Sequence, residues 1–185
     1  KFMNWNGIIL TDSGGYQVYS LEGLRKINSD GVTFQSHLDG SKHCFTPEKV
    51  VEIQRSIGSD IMMMLDVCPP GEASKKEWIE ALNLTTQWAK KAKKHYDVTK
   101  PIYGHHQIIS PIVQGGTDLE LRKQSAFELM SSGPENVCPT RASTIPSFIQ
   151  VRKSMPTLSH PAVLAGIRMI RCRSGPLFFT FSFVF

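Results

Sequence analysis

Polar residues that could recognise a ligand follow three short apolar runs along the sequence. Asp12 opens an Asp-Ser-Gly-Gly segment after the first run, Asp66 follows the second, and Gln114 opens a Gln-Gly-Gly segment after the third. Carboxylates accept hydrogen bonds from N–H groups, and a carboxamide donates to a carbonyl. This set of groups complements the amide-bearing edge of a purine such as guanine. The adjacent glycines would allow a ligand to approach backbone N–H groups closely.

Each of these segments also has a simpler interpretation when it is considered alone. Asp12 could cap a helix or a turn, and the glycines that follow it could form only a tight turn. Asp66 could simply end its strand, and Gln114 could lie in an ordinary strand-to-helix loop. The ligand hypothesis therefore depends on whether the three segments meet in the fold.

The apolar runs that precede these residues are typical of strands buried on both faces of a parallel sheet. They cover residues 7–11, 61–65 and 108–113. In a parallel α/β barrel the carboxyl ends of the strands open on one face. Asp12, Asp66 and Gln114 could therefore share one ligand.

Chemically marked helix starts lie between the predicted strands. Thr46-Pro47 offers a hydroxyl cap followed by a proline suited to the first helical position. Residues 74–77 and 117–120 both fit the capping box, which predicts helices that begin near residues 75 and 118. Strands that alternate with helices favour an α/β fold.

Two other segments break this alternation. Residues 31–43 alternate between apolar and polar side chains up to a turn at 38–41, which predicts an inserted antiparallel hairpin. After Ser131, closely spaced prolines interrupt any sustained period. We therefore expect a divergent, irregular tail over residues 133–185.

Composition narrows the class of protein only modestly. Lysine and arginine number 21 against 16 acidic residues, and the resulting net charge of +5 favours an anionic partner such as nucleic acid. The four cysteines show neither metal-ligand nor disulfide spacing, which favours a reducing, cytoplasmic compartment. The apolar tail 177–185 is much shorter than the roughly 20 residues of a membrane span.

One long segment carries a family resemblance. Residues 9–21, ILTDSGGYQVYSL, closely resemble the signature of the tRNA-guanine transglycosylases. The resemblance continues in order and spacing through residues 31–40, 46–48, 53–54, 58–61, 66, 68–70 and 111–116. It implies a partial TIM-type (β/α)8 barrel over residues 1–132, from an enzyme that exchanges guanine in a tRNA anticodon for queuine or its precursor.

The resemblance also implies roles for individual residues. Asp12 corresponds to a family residue that contacts the base and has a proton-transfer role, while Asp66 and Gln114 correspond to residues that read the base. The base pocket as a whole would be formed by Asp12, Ser13, Gly14, Gly15, Tyr16, Asp66, Cys68, Gln114 and Gly115. The partners implied are a tRNA with a GUN anticodon, a guanine or queuine-type base and, for the full-length enzyme, a second subunit.

Several family features have no counterpart in this sequence. No residue after Ser131 matches the nucleophilic aspartate, and Val67 stands where the family commonly has glutamate. Cys138 and Cys172 stand apart, so we expect no cofactor in this chain, although the full-length family member carries a structural zinc. A truncated or mis-spliced product would explain these gaps.

We therefore expect a pentosyltransferase fragment of queuosine biosynthesis that is inactive alone. A non-catalytic accessory subunit that binds the base or tRNA is one alternative, favoured by the missing nucleophile. An unrelated TIM-barrel enzyme that binds an anionic small molecule is the other.

Overall fold

The computed structural model describes residues 6–15, 23, 25–36 and 39–131, together with the backbone of residues 166–170 and 178–182. Its elements in chain order are β1 (Ile9–Thr11), β2 (Arg25–Asn28), β3 (Gly31–Gln35), β4 (Lys42–Phe45), α1 (Pro47–Ile57), β5 (Ile61–Met63), α2 (Lys75–Val98), β6 (Ile108–Ser110), α3 (Leu119–Ser131), β7 (Gly166–Ile170) and β8 (Phe178–Ser182).

The three predicted apolar strands lie side by side in one sheet. β1 pairs with β5 and β5 pairs with β6, both in parallel, in a register that places Leu10 opposite Ile61 and Ile61 opposite Ile108. The sheet order is β6-β5-β1-β8-β7. The predicted α/β class is therefore confirmed. The described strands form this sheet without closing a barrel, so a complete barrel is not part of what the structure shows.

Strands β7 and β8 lie within residues 133–185, where an irregular tail is expected. β8 pairs in parallel with β1, and β7 pairs antiparallel with β8. The closely spaced prolines behind that expectation all precede residue 157, and both strands follow them. Within the strands the aromatic and β-branched residues favour extended backbone. The rest of residues 133–185 lies outside the described part of the chain, and the boundary at 132 stays a prediction.

The predicted hairpin is present and belongs to a larger sheet. β3 and β4 are antiparallel, with Val32 opposite Phe45 and Gln35 opposite Lys42. β2 adds a third antiparallel strand on the other side of β3. The sequence gives little sign of β2, because Arg25–Asn28 contains only one apolar residue, Ile27.

The helix starts follow the predicted caps in two of three cases. Thr46 Oγ1 accepts a hydrogen bond from Lys49 N, and Pro47 occupies the first turn of α1. Ser74 and Glu77 form the reciprocal capping box of α2.

The predicted capping box at residues 117–120 is wrong. Asp118 caps α3 instead, because its Oδ1 accepts from Glu120 N at 3.0 Å and from Leu121 N at 3.1 Å. The helix accordingly begins at Leu119, one residue later than the sequence predicts.

The core has two clusters of buried side chains. The first joins the antiparallel sheet to α1 and α2 and contains Val32, Phe34, Phe45, Val50, Leu65 and Trp88. The second fills the space between the parallel sheet and the helices and contains Val51, Met62, Met64, Ala89, Ala92, Ile109 and Leu129. Each large side chain buried in this way contributes about 1.5–3 kcal/mol.

Polar contacts fix the antiparallel sheet on α2. Trp88 Nε1 donates to Ser29 O at 3.1 Å, and Lys91 Nζ donates to the same carbonyl at 2.9 Å and to Asp30 Oδ1 at 3.1 Å. Lys93 on the same helix pairs with Asp97. Two of the four lysines in the basic stretch 90–94, Lys91 and Lys93, are thus engaged in contacts within the chain.

None of the helices in the described ranges is long and apolar enough to cross a membrane.

Candidate functional site

Side chains from the ends of three parallel strands meet at one buried point. Gln114 Nε2 donates to Asp66 Oδ2 at 2.9 Å, and Ser13 Oγ donates to Asp66 Oδ1 at 3.4 Å. The exposed fractions are 3% for Ser13, 3% for Asp66 and 6% for Gln114. A buried carboxylate is costly unless it is hydrogen-bonded, and here each oxygen has a partner. The predicted convergence of these segments is therefore present in the fold.

Position 15 requires glycine because Asp66 occupies the space that a side chain would need. A Cβ at this position would lie 2.9 Å from both the backbone oxygen and Oδ1 of Asp66, and 3.3 Å from Ser13 Oγ. Gly15 N also donates to Ser13 Oγ at 3.2 Å. The sequence suggested that this glycine gives a ligand room to approach. In the structure the room is taken by the chain's own carboxylate.

Asp12 is half-buried and lies next to this cluster. Its Oδ1 accepts from Ser13 N at 2.7 Å, a local bond that orients the turn after β1. The preceding residue is held firmly, because Thr11 Oγ1 lies 2.6 Å from Gln54 Oε1 and 2.7 Å from Ser59 Oγ in a buried polar network. The backbone that carries Asp12 is thus fixed to α1.

A shallow recess opens on the α1 side of Asp12. Its lining consists of Asp12, Ser13, Phe45, Val50, Ile53 and Gln54. Apart from its polar corner at Asp12, Ser13 and Gln54 the lining is apolar, and Ser13 belongs both to the recess and to the buried cluster. Buried hydrogen-bonding groups are concentrated at Asp66 and Gln114, so we place the candidate site on the cluster and treat the recess as its neighbour.

The loop after β6 is built tightly against α3. Gln114 N donates to Ser125 Oγ at 3.0 Å. Gly115 has φ +114°, and a Cβ there would meet Arg122 N at 2.8 Å and Leu121 Cβ at 2.9 Å. Both the backbone conformation and the close packing therefore require glycine, and they fix the direction in which Gln114 points.

The loop after β5 is anchored on α2. Val67 N donates to Thr85 Oγ1 at 3.0 Å, and the Val67 side chain packs against the first core cluster. Cys68 follows it in a partly buried position. Valine at 67 thus makes a core contact where the family resemblance would place a glutamate. Tyr16, the remaining predicted pocket residue, lies outside the described residues.

Sequence reasoning missed the residues that hold these loops. Thr85 and Ser125 are buried hydroxyl residues on helices, a pattern that many cores share. Gln54 carried a usable signal, because a carboxamide on the inward face of an amphipathic helix needs buried partners.

In the described ranges there is no group of three potential metal ligands among histidine, cysteine and acidic side chains. Cys138 and Cys172 lie outside those ranges.

Comparison with known proteins decides the family. The model of the queuine tRNA-ribosyltransferase family matches residues 1–139 of this 185-residue chain. The chain belongs to this family. The match contains every predicted site residue, so the Asp66–Gln114 cluster is part of the queuine tRNA-ribosyltransferase segment. Membership also removes the alternative of an unrelated barrel enzyme.

Curated queuine tRNA-ribosyltransferases share about half of the residues in this segment. The protein from Solidesulfovibrio magneticus is 53% identical over 133 residues, which are 72% of this chain and 35% of that protein. The Caldanaerobacter subterraneus protein is 53% identical over 130 residues, 70% of this chain and 33% of the relative. The Dehalococcoides mccartyi protein is 50% identical over 131 residues, 71% of this chain and 32% of the relative. The chain spans about a third of the length of these relatives.

Proposed function

We propose that this chain is the base-recognition segment of a queuine tRNA-ribosyltransferase. The complete protein would exchange guanine in the GUN anticodon of a tRNA for queuine or its precursor. The observation that carries the proposal is the buried contact of Asp66 with Gln114 and Ser13 at the ends of three parallel strands. These residues lie inside the segment that the family shares.

The cluster offers the hydrogen-bonding groups that guanine needs. The Asp66 carboxylate accepts from N–H donors, and guanine presents two of these side by side on its amide edge. Gln114 Nε2 already donates one proton to Asp66 Oδ2. The second proton of the same amide is the natural donor for the guanine carbonyl. Ser13, Gly14, Gly15, Cys68 and Gly115 would then form the walls of the pocket, together with Tyr16.

Asp12 is the proposed proton-transfer residue. It is half-buried, and its carboxylate is held by Ser13 N one residue from the cluster. Base exchange also needs a nucleophile for the ribose carbon, because a covalent sugar intermediate divides one difficult displacement into two easier ones. Since the matched segment supplies no such carboxylate after Ser131, the chain by itself would bind a base without exchanging it. The tRNA base must also leave its stack to reach the site.

The remaining features of the complete enzyme are proposals of the same kind. They are a structural zinc, a dimeric assembly and a cytoplasmic location. The family resemblance supports each of them, and no group of three potential metal ligands lies among the described residues.

Guanine binding tests the proposal directly. Equilibrium dialysis with labelled guanine would compare the chain with Asp66→Asn, which keeps the shape of the side chain and removes the carboxylate. Hydrogen bonds to charged groups are worth about 1.5–3 kcal/mol, so affinity should fall by roughly ten- to a hundredfold. Asp30→Asn is the matched control, because the Asp30 side chain is 80% exposed and, from the turn between β2 and β3, pairs with Lys91 and not with any residue of the cluster. Asp30→Asn should leave the guanine affinity unchanged.

A base-exchange assay distinguishes a segment of an active ribosyltransferase from a non-catalytic accessory subunit. A protein extended through the C-terminal region of the family should incorporate labelled guanine into tRNA, while this chain should not. Binding without exchange by the extended protein would favour the accessory-subunit alternative. Absence of guanine binding, or equal binding by Asp66→Asn, would contradict the proposed role of the cluster.

A further inference from the structure

A tryptophan on α2 stands between the two loops that carry the candidate site. Trp78 Nε1 makes a long hydrogen bond of 3.5 Å to Pro70 O, in the loop after β5. The face of the same ring lies against Gly116 in the loop after β6, where a Cβ would be 2.5–2.8 Å from three ring atoms. Trp78 therefore touches both the loop that carries Asp66 and the loop that carries Gln114.

An ion pair joins the same elements beside the ring. Lys75 Nζ lies 2.8 Å from Asp118 Oδ2. The hydrogen bond from Lys75 holds the pKa of Asp118 below its usual value, with the backbone N–H of Leu121 as the next contribution. Asp118 thus uses one oxygen to cap α3 and the other to bind the first turn of α2. Asp118 N also donates to Gly115 O at 3.0 Å, which closes the loop on itself.

We propose that Trp78, supported by the Lys75–Asp118 ion pair, is a positioning residue for Gln114. Gly116 is two residues from Gln114. The intervening Gly115 is packed so closely against α3 that it cannot absorb a movement of Gly116. A shift of Gly116 towards an empty Trp78 site would therefore turn the Gln114 amide away from Asp66. The significance of this inference for base recognition rests on the proposed function, whereas the geometry can be tested without a base.

The decisive variant is Trp78→Ala, with Trp78→Phe as the conservative variant that keeps a ring against Gly116. Ile79→Ala is the control for loss of an apolar side chain from the same helical turn, since Ile79 is 39% exposed. The first measurement is the side-chain amide resonance of Gln114 in the ¹⁵N-labelled chain. We expect this resonance to move, and its protons to exchange faster, in Trp78→Ala. It should stay in place in Trp78→Phe and in Ile79→Ala.

A second pair of variants covers the case in which Trp78→Ala does not fold. Lys75→Gln removes the ion pair and leaves no cavity, and Lys76→Gln changes the neighbouring lysine, whose side chain is 86% exposed and 3.9 Å from Glu80. The Gln114 resonance should move in the first variant and stay in the second. An unchanged Gln114 resonance in Trp78→Ala, or in Lys75→Gln if the first variant is unfolded, would overturn the proposal.

Guanine affinity then connects the geometry with function. Losing one hydrogen bond to a charged group weakens affinity by roughly ten- to a hundredfold, so Trp78→Ala should weaken guanine binding by about that factor and Ile79→Ala should not. If the Gln114 resonance moves but the wild-type chain binds no guanine, the positioning role stands and the proposed function fails. If guanine binds the wild-type chain and Trp78→Ala equally, the positioning role fails and the proposed function stands.

Discussion

The contact between Gly15 and Asp66 gives the sharpest prediction, the effect of Gly15→Ala. The new methyl group would lie 2.9 Å from the backbone oxygen and from Oδ1 of Asp66, whereas ordinary contacts begin near 3.4 Å. Something must therefore move by about half an ångström, and the backbone oxygen cannot rotate away. Gly15 has no positive φ, so the substitution adds no backbone strain, and crowding alone determines the result.

The expected magnitude follows from two opposing terms. Overpacking of a tight site costs about 1–3 kcal/mol. Alanine restricts the unfolded chain more than glycine does, which offsets about 0.4–1 kcal/mol. From the middle of each range, the free energy of unfolding should fall by about 1.3 kcal/mol. Displacing Asp66 should also weaken guanine binding at least about tenfold, because both hydrogen bonds to the carboxylate depend on its position.

Urea unfolding and labelled-guanine dialysis measure these two effects. Gly71→Ala is the matched control, because a Cβ at Gly71 has nothing within 4 Å and Gly71 lies in the same loop as Asp66. Gly71→Ala should be neutral or slightly stabilising. If Gly15→Ala is as stable as the wild-type chain and binds guanine equally well, Asp66 does not lie over Gly15 and the description of the site is wrong.

Two further predictions concern the support of the site and its response to acid. Gln54→Leu removes the contact of Gln54 with Thr11 and its hydrogen bond to Met63 O at 2.9 Å, and should lower the free energy of unfolding by about 1–3 kcal/mol. Gln124→Leu, at an exposed surface bond, should change it by less than about 0.5 kcal/mol. Bonds from Ser41 lower the pKa of Asp39 to about 2. Because the pKa of Asp39 is lower in the folded chain, its ionised carboxylate stabilises the fold at pH values above about 3.8. This stabilisation is lost as the pH falls towards 2. Asp39→Asn should therefore be less stable than wild type at pH 5 in urea titrations, and the difference should close by pH 2. A constant difference would refute this.

The local chemistry of the sequence was sufficient for the elements whose causes are local. Thr46 and Ser74 cap their helices through residues three positions away, so the pattern contains both partners. The alternation around Val32 and Phe34 predicted the hairpin for the same reason. The meeting of Asp66 with Gln114 was predictable because parallel strands present their carboxyl ends on one side.

Features that depend on distant contacts could not be predicted in this way. Asp118, and not Thr117, caps α3, and it also binds Lys75 from a different helix. Gly15 packs against Asp66 from another strand, and that contact is invisible in the Gly-Gly pattern. β8 extends the sheet beside β1, but a pairing partner so far along the chain leaves no local mark in the sequence.

Among the described strands β6 lies at the outside of the parallel sheet, and this position affects how the protein behaves in solution. Ile108 N donates to Asp60 O and Ser110 O accepts from Met64 N, so the intervening peptide groups of this strand face away from β5. An outer edge of this kind is a template for strand addition by a second molecule, but Ile109, which carries these peptide groups, is only 4% exposed, so the edge is covered in the folded chain. Self-association through this edge would require Ile109 to be uncovered and would rise with concentration, so sedimentation at several concentrations should accompany every binding curve.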